Sequence, residues 1–271
     1  MKRLKFFHAG WLTLLLIMVL GEIKSQVADS IVPKMINPEK ILRKIDVRSI
    51  TQSGFNFWND RFSGHWAGIH FGFNGFFSTD YSGYSSEFME NDLFRSNSAF
   101  VNPFQQSIAL QRNKNTFGLV SGLGVQFQSY RLDKNMTIRQ DGSGRVMPKP
   151  LISYEDNQKS KLSVVYLTVP LLAEIQVPVK NYQTRYYFSA GVYAGMRINS
   201  HTKIKYRDEG EKEKLKTPDD YSLNKFKYGL MVRTGYRWAN FYATTDLSPL
   251  FISGKGPRLI PFTFGITLMS F

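Results

Sequence analysis

The feature that most constrains this chain is a period-two alternation of apolar and polar residues that recurs from residue 64 onwards. In the clearest run, 187–199, the even positions are all apolar, whereas the odd positions hold Tyr, Ser, Gly, Arg and Asn. The run 225–238 repeats this pattern, with Lys, Gly, Met and Arg at its odd positions. A period of two is typical of a β-strand with one apolar face, so the alternation predicts an all-β fold.

Eight such runs can be distinguished along the chain. Only Ile108 and Leu110 carry the pattern in the weakest run, near 105–111, whereas the others are clear. These runs predict eight strands, or ten if one of the long loops hides a hairpin. The other runs cover residues 66–73, 117–128, 165–177, 240–247 and 262–268.

The polarity of the two faces indicates the surroundings of these strands. One face is almost purely apolar, and the other mixes Gly, Gln and Thr with charged residues. A soluble β-sandwich would scatter its charges over an outer face, whereas a barrel in lipid has an apolar exterior and a polar interior. Because backbone groups in lipid must all be paired, the strands must close on themselves. We therefore predict an eight-stranded, antiparallel, up-and-down transmembrane β-barrel in an outer membrane.

The spacing of the runs supports this prediction independently. Long gaps (75–103, 132–160, 200–221 and 248–258) alternate with short ones near 112–115, 178–183 and 238–239. Long extracellular loops and short periplasmic turns are typical of outer-membrane barrels. The terminal aromatic residue, Phe271, would suit recognition by barrel-assembly machinery, but its odd position disagrees with the even-numbered apolar stripe of 262–268.

The first residues have the pattern of an export signal. Lys2, Arg3 and Lys5 precede the apolar run 11–20, and Ser25 precedes Gln26. The apolar run is too short to span a bilayer, which favours a cleaved signal peptide over an uncleaved anchor. We predict a signal peptide at 1–25, a periplasmic segment at 26–62 and a barrel domain at 63–271, and therefore export to a Gram-negative outer membrane.

Composition excludes several other classes of protein. The chain has no cysteine, which excludes disulfides, thiolate metal sites and a cysteine nucleophile. Its formal net charge of +14 would suit a nucleic-acid partner, but the basic residues are dispersed and many alternate within strands. A charged barrel interior and contact with lipid phosphates explain the excess better, so no nucleic-acid partner is expected.

Six segments together resemble the Bacteroidetes-type outer-membrane β-barrel family that includes the PorT-like proteins, often called porin family proteins. The resemblance implies an outer-membrane location, and PorT-like members are associated with type IX secretion. The segments are 64–75 (GHWAGIHFGFNG), 117–130 (FGLVSGLGVQFQSY), 166–176 (YLTVPLLAEIQ), 195–203 (GMRINSHTK), 221–228 (YSLNKFKY) and 247–265 (LSPLFISGKGPRLIPFTFG).

Charged residues on the polar face form the most interesting candidate site. Because side chains just fill the interior of an eight-stranded barrel, the favoured interpretation is a structural network in which arginines pair with Glu174 and Asp246. A narrow anion-preferring path or a small-ligand site is the alternative. The predicted interior polar network is His70, Glu174, Arg197, Arg233, Arg237 and Asp246, with Lys225 and Lys227 on the same face.

Enzymatic candidates are few. His65 and His70 would point to opposite faces of one strand, and His201 has no serine and acid at a supporting spacing. We expect no catalytic residue, no cofactor and no metal.

Three functions remain open: a structural or secretion-associated barrel, a narrow porin-like channel for small solutes, and an envelope enzyme with a loop-borne site. The expected partners are outer-membrane lipid, lipopolysaccharide and an envelope or secretion-system protein, with the barrel itself monomeric. The highly charged segment 208–216 (DEGEKEKLK) suits a solvated loop or a surface for such a partner.

Overall fold

The computed structural model describes residues 62–89, 92–111, 116–133, 135–151, 159–179, 184–208 and 211–270, all within one compact unit, Val47–Phe271. The predicted signal peptide and the segment 26–61 lie outside these ranges. No helix in the described ranges is long and apolar enough to cross a membrane. The described residues form eleven strands: β1 (Gly68–Asp80), β2 (Asn97–Ala109), β3 (Phe117–Arg131), β4 (Met136–Gln140), β5 (Val146–Pro150), β6 (Lys159–Val179), β7 (Thr184–Asp208), β8 (Glu211–Pro218), β9 (Phe226–Tyr236), β10 (Ala239–Asp246) and β11 (Arg258–Ser270).

Eight of these strands close into a ring. The order is β6-β3-β2-β1-β11-β10-β9-β7, and β7 pairs with β6 to complete the circle. Every neighbouring pair is antiparallel. The structure therefore confirms the predicted all-β, eight-stranded antiparallel barrel.

The two faces of the ring are the reverse of those in a soluble protein. In β9, Leu230 and Val232 are 46% and 40% exposed, whereas the residues that alternate with them, Met231 and Arg233, are buried. The same alternation occurs in β6 and β7, where the apolar residues again face outwards. Because successive side chains of a strand point to opposite faces, the apolar residues form a continuous outer belt and the polar residues fill the interior.

The two ends of the ring differ. At one end β1 begins, β11 ends, and a two-residue turn joins β9 to β10. We call this end the turn end. The opposite end carries the long connections, and we call it the loop end.

Two of the predicted loops contain additional strands. The connection 132–158 holds the hairpin of β4 and β5, which pair only with each other. In the connection between β7 and β9, the outer part of β7 pairs with β8 instead of β9. The hairpins that the sequence analysis allowed for are thus present, but they lie outside the ring, which keeps eight strands.

The weakest predicted strand is longer than expected and begins earlier. The alternation near 105–111 is only the last part of β2, whose first residues, from Asn97, were assigned to a loop. Four residues of this first part pair both with β1 and with β3: Asn97, Ser98, Ala99 and Phe100. Small and polar residues interrupt the apolar alternation in this part of β2.

Candidate functional site

The interior of the ring contains a balanced set of buried charges. The carboxylates of Glu174 and Asp246 and the cations of Lys227 and Arg233 are each at most 4% exposed. His70 lies among them at 1% exposure. Because an unpaired charge away from water is costly, the partners of these groups decide whether the interior is a structural core or a path.

The segment 62–67, which precedes β1, lies inside the barrel at the turn end. The side chain of Gln105 on β2 pairs with its backbone: the N–H groups of Trp66 and Ala67 donate to Oε1 of Gln105 at 2.6 and 2.9 Å. The Nε2 atom of Gln105 donates to the carbonyl of Gly64 at 2.9 Å. One interior amide thus serves three backbone groups of a segment that belongs to no strand.

Other strands complete the backbone contacts of this segment. The N–H of Gly64 donates to Oγ of Ser107 at 3.0 Å, and Nε2 of Gln176 donates to the carbonyl of Ser63 at 2.6 Å. The backbone of this segment is hydrogen-bonded to side chains of β2 and β6 rather than to a neighbouring strand. The segment therefore fills this end of the barrel as a plug. We refer to residues 62–67 as the plug.

Two aromatic side chains anchor the plug. Phe62 and Trp66 are fully buried. A Cβ atom added at Gly118 would lie 2.5 Å from the Phe62 ring, and one added at Gly122 would lie 2.5 Å from Cδ1 of Trp66. These two β3 glycines therefore leave the space that the two rings occupy.

Glu174 ties the plug to the far side of the barrel. Its Oε1 atom accepts from Nδ1 of His65 at 2.7 Å and from Nε2 of Gln176 at 2.7 Å. Its Oε2 atom accepts from the backbone N–H of His65 at 3.2 Å and from the Ser189 hydroxyl at 2.7 Å. The His65 ring also stacks on Tyr187, with 3.9 Å between centroids. The partner of Glu174 is thus a histidine of the plug rather than an arginine.

Arg233, on β9 and two strands from Glu174 along the ring, also contacts the plug. Its guanidinium lies 5.3 Å from the Trp66 ring centroid and donates to the Trp66 carbonyl at 3.5 Å. The same carbonyl accepts from Nε2 of His70 at 3.2 Å, and Nδ1 of His70 lies 2.9 Å from the Thr267 hydroxyl. Arg233 and His70 therefore hold the plug through Trp66.

A second group of charges lies nearer the loop end. The Nζ atom of Lys227 lies 3.6 Å from Oδ2 of Asp246 and donates to Oε1 of Gln126 at 2.7 Å. It also lies 4.3 Å from the ring centroid of Tyr166. The other carboxylate oxygen of Asp246 accepts from the Tyr193 hydroxyl. Both charges are thus paired within the wall, as buried charges require.

An apolar cluster covers the loop end. It joins the loop-end parts of β1, β3 and β6 to the β4–β5 hairpin and to the connections before β2, β9 and β11. Backbone hydrogen bonds link these connections: Val146 N donates to Lys255 O at 2.7 Å, and Asn224 N donates to Leu250 O at 2.9 Å. We call the cluster the cap: Phe76, Phe88, Met89, Tyr130, Leu132, Ile138, Val146, Leu162, Val164, Tyr166, Tyr221, Leu223, Leu250, Phe251 and Leu259.

Asp220 fastens the β4–β5 hairpin to the cap. Its Oδ1 atom accepts from Nε2 of Gln140 at 2.7 Å and from the backbone N–H of Ser222 at 3.0 Å. The Ser222 hydrogen bond, assisted by the Gln140 amide, holds the pKa of Asp220 below its ordinary value. An ionised carboxylate therefore contributes to the link between hairpin and cap, beside the apolar packing of Ile138 and Val146.

A cavity of 390 Å³ opens at the turn end, beneath the plug. His65, Arg185, Tyr187 and Arg237 line it. Among the described residues, His, Asp and Glu form no group of three or more that could hold a metal ion.

Comparison with known proteins agrees with this geometry. Residues 53–255 match the family described as "Outer membrane protein beta-barrel domain". The chain belongs to this outer-membrane β-barrel family. No curated protein and no solved structure matches it.

Membership of the outer-membrane β-barrel family explains the reversed polarity of the ring. The apolar outer belt is the surface that faces lipid, and the protein is an integral outer-membrane barrel. The buried polar side chains are the interior of that barrel.

The structure distributes the predicted interior residues over two regions. His70, Glu174, Arg233 and Asp246 lie inside the ring, and so does Lys227. They do not form one network, because Glu174, Arg233 and His70 contact the plug, whereas Asp246 pairs with Lys227.

Three of the cations predicted for the interior lie at the ends of the ring rather than in its middle. Lys225 precedes β9, and Arg237 occupies the β9–β10 turn with a φ of 55°, so both are exposed. Arg197 is half-buried at the loop-end rim, where its Nη1 donates to Ser200 Oγ at 2.8 Å and to Asp220 O at 3.0 Å. Lys225 and Arg237 were misplaced because the alternation was extended beyond the two ends of β9. Arg197 lies at a register shift between β6 and β7.

The plug is the functional element that the sequence analysis missed. His65 and Trp66 were placed on a strand, which led to the expectation that His65 and His70 point to opposite faces. Both side chains lie in the interior instead, because β1 begins only at Gly68. The sequence did contain one indication of the plug. β2 carries the polar residues Gln105 and Ser107, whose side chains accept hydrogen bonds from the plug backbone.

Proposed function

We propose that the protein is a closed, monomeric barrel that acts as a structural or secretion-associated platform, with its turn end in the periplasm and its long connections outside the cell. The observation that carries this proposal is the closure of both ends. The plug occupies the turn end, and the cap covers the loop end. A barrel filled in this way offers surfaces rather than a path.

The balance of interior charge supports the same function. An anion-preferring path would need an excess of cations along the whole interior, but Lys225 is exposed and Arg237 lies in the β9–β10 turn, at the turn-end cavity only. Lys227 and Asp246 are paired, and Glu174 is bonded to His65. The buried charges thus stabilise the wall and the plug.

Solute flux tests the closed state directly. The full-length mature protein would be reconstituted into liposomes, and entry of small sugars and of chloride would be compared with empty vesicles and with vesicles that contain an open porin. We expect flux equal to that of empty vesicles. Discrete conductance steps in a planar bilayer would instead support a narrow porin-like channel.

A secretion role is proposed from the resemblance to PorT-like proteins, and a platform at the cell surface is compatible with it. Deletion of the gene followed by proteomics of the secreted and surface fractions is the test. Loss of type IX cargo, restored by the wild-type gene, is the expected result. An unchanged secretome would leave a structural role in the envelope.

A further inference from the structure

One part of the outer surface carries a regular array of cations. At the loop end of β3, β6, β7 and β8, the register pairs Arg131 with Lys161, Lys161 with Lys203, and Lys203 with Lys216. In the next row towards the loop tips, Lys159 pairs with Lys205, and Lys205 pairs with Lys214. We call these seven residues the cation ladder: Arg131, Lys159, Lys161, Lys203, Lys205, Lys214 and Lys216.

The ladder lies on the outward face of the sheet. Along β6 the buried residues Ser160 and Leu162 alternate with Lys159 and Lys161, and along β7 the buried Thr202 lies between His201 and Lys203. Paired residues of neighbouring strands share a face. The seven cations therefore project to the side of the barrel, as the lipid-facing residues do, and not towards the cap.

Its height above the apolar belt is defined by the register. Phe127 pairs with Val165 at the edge of the belt, and the next row contains Ser129 and Ser163. The Arg131–Lys161 pair is four residues beyond Phe127 and Val165, which is about 13 Å along the strand. The outward face thus changes from apolar to hydroxyl to cationic over the distance at which a bilayer changes from hydrocarbon to headgroups.

Such an arrangement is unfavourable unless anions compensate it. Like charges directly opposite each other across a sheet are destabilising, and four of the five pairings in the ladder join two lysines. A ligand that presents several phosphates at this height would neutralise them together.

We propose that the cation ladder binds the phosphate groups of a multiply phosphorylated lipid in the leaflet that surrounds the loop end. The lipid is favoured over a soluble polyanion because the ladder continues the lipid-facing surface. Its ligand would keep its acyl chains against Phe127 and Val165 and its phosphates against the lysines. The proposal rests on membrane insertion and does not require that the barrel be closed.

The test uses the full-length mature protein in neutral detergent and bisphosphorylated lipid A as the probe. Binding would be measured by native mass spectrometry and by thermophoresis for the wild type and for the ladder variant Lys161→Gln/Lys203→Gln/Lys216→Gln. The control is Lys149→Gln/Lys225→Gln/Lys255→Gln, which removes the same charge from exposed lysines outside the ladder. The heat-dependent gel shift of each variant verifies that the barrel is folded.

We expect the ladder variant to bind lipid A about a hundredfold more weakly, because each cation near a membrane surface contributes about fivefold. The control should bind as the wild type does, and fully dephosphorylated lipid A should bind the wild type as weakly as lipid A binds the ladder variant. Equal affinity of the ladder and control variants for lipid A would overturn the proposal. Ladder-dependent binding of heparin at least as tight as that of lipid A would also overturn it, since the ligand would then be a soluble polyanion.

Discussion

Glu174 shows how one carboxylate organises the interior. It accepts hydrogen bonds from the backbone and ring of His65, from the Gln176 amide and from the Ser189 hydroxyl. These donors come from the plug, β6 and β7. A single residue therefore joins the plug to the seam at which β6 and β7 close the ring.

Replacement of Glu174 by leucine should weaken the barrel. The His65 N–H, the Gln176 amide and the Ser189 hydroxyl would lose their acceptor, and each unsatisfied buried donor costs about 1–3 kcal/mol. We expect a loss of at least about 3 kcal/mol in the free energy of unfolding. The temperature at which the heat-dependent gel shift disappears should fall clearly.

The matched control for this substitution is Glu213→Leu, which removes an exposed carboxylate on β8. Its transition temperature should remain that of the wild type. If Glu174→Leu also melted at the wild-type temperature, Glu174 would have no stabilising role.

At the residue scale, the sequence predicts the face of a side chain only while the strand continues. The alternation places Glu174, Arg233 and Asp246 in the interior because they lie within long regular strands. It fails for Arg237 because nothing in the alternation marks Tyr236 as the last residue of β9. It fails for His65 because the interior side chains that hold the plug come from distant strands.

At the scale of elements, the β4–β5 hairpin depends on ionised aspartates. The Ser143 hydroxyl holds the pKa of Asp141, in the hairpin turn, below its ordinary value, and the Ser222 N–H does the same for Asp220. A depressed folded-state pKa stabilises the structure fully above the ordinary aspartate pKa of about 3.9. That stabilisation is lost as the pH falls through the folded-state pKa.

Acidification should therefore loosen the hairpin before the ring. We expect the β4 and β5 amides, corrected for intrinsic rates, to exchange faster at about pH 3 than at about pH 6, while the β9 amides stay protected. The double variant Asp141→Ala/Asp220→Ala should show fast hairpin exchange at both pH values. A double variant with the wild-type pH dependence would contradict this account.

The sequence located the elements of the ring better than those outside it. β8 and the outer part of β7 consist mostly of charged and polar residues, so they show no apolar period and were assigned to a loop. β11 shows a different limit. A register shift, with Ile69 opposite Met269 but His70 opposite Thr267, changes the parity of the outward positions after Thr267. Both Leu268 and Met269 are exposed, so an odd-numbered apolar residue follows the even-numbered stripe. The expectation for Phe271 falls outside the described residues.

At the scale of the whole molecule, the barrel is stabilised by a polar interior and an apolar exterior. Val192 and Val177 are matched positions on the outer belt, with 50% and 53% exposure. Val192 lies in the middle of the belt, where it pairs with Leu171 and Leu230, whereas Val177 lies two residues from the turn-end limit of β6.

Arginine should be tolerated at position 177 but not at position 192. We expect Val192→Arg to cost about 2–4 kcal/mol and Val177→Arg about 0–1 kcal/mol, because the cost of a lipid-facing cation depends on its depth. Urea unfolding in phospholipid vesicles measures both. Equal costs at the two positions would mean that the belt is not centred on Val192.

The plug also constrains the order in which the chain can assemble. Apart from the adjacent His70, its hydrogen-bonding and stacking partners lie on β2, β6, β7 and β9, separated from it by between 36 and 167 residues. The residues that precede β1 therefore reach their final contacts only after the strands that follow them have come together. We therefore expect burial of Trp66 between Gly122 and Arg233 to be a late event of folding, which the fluorescence of Trp66 in a variant without the other tryptophans should report.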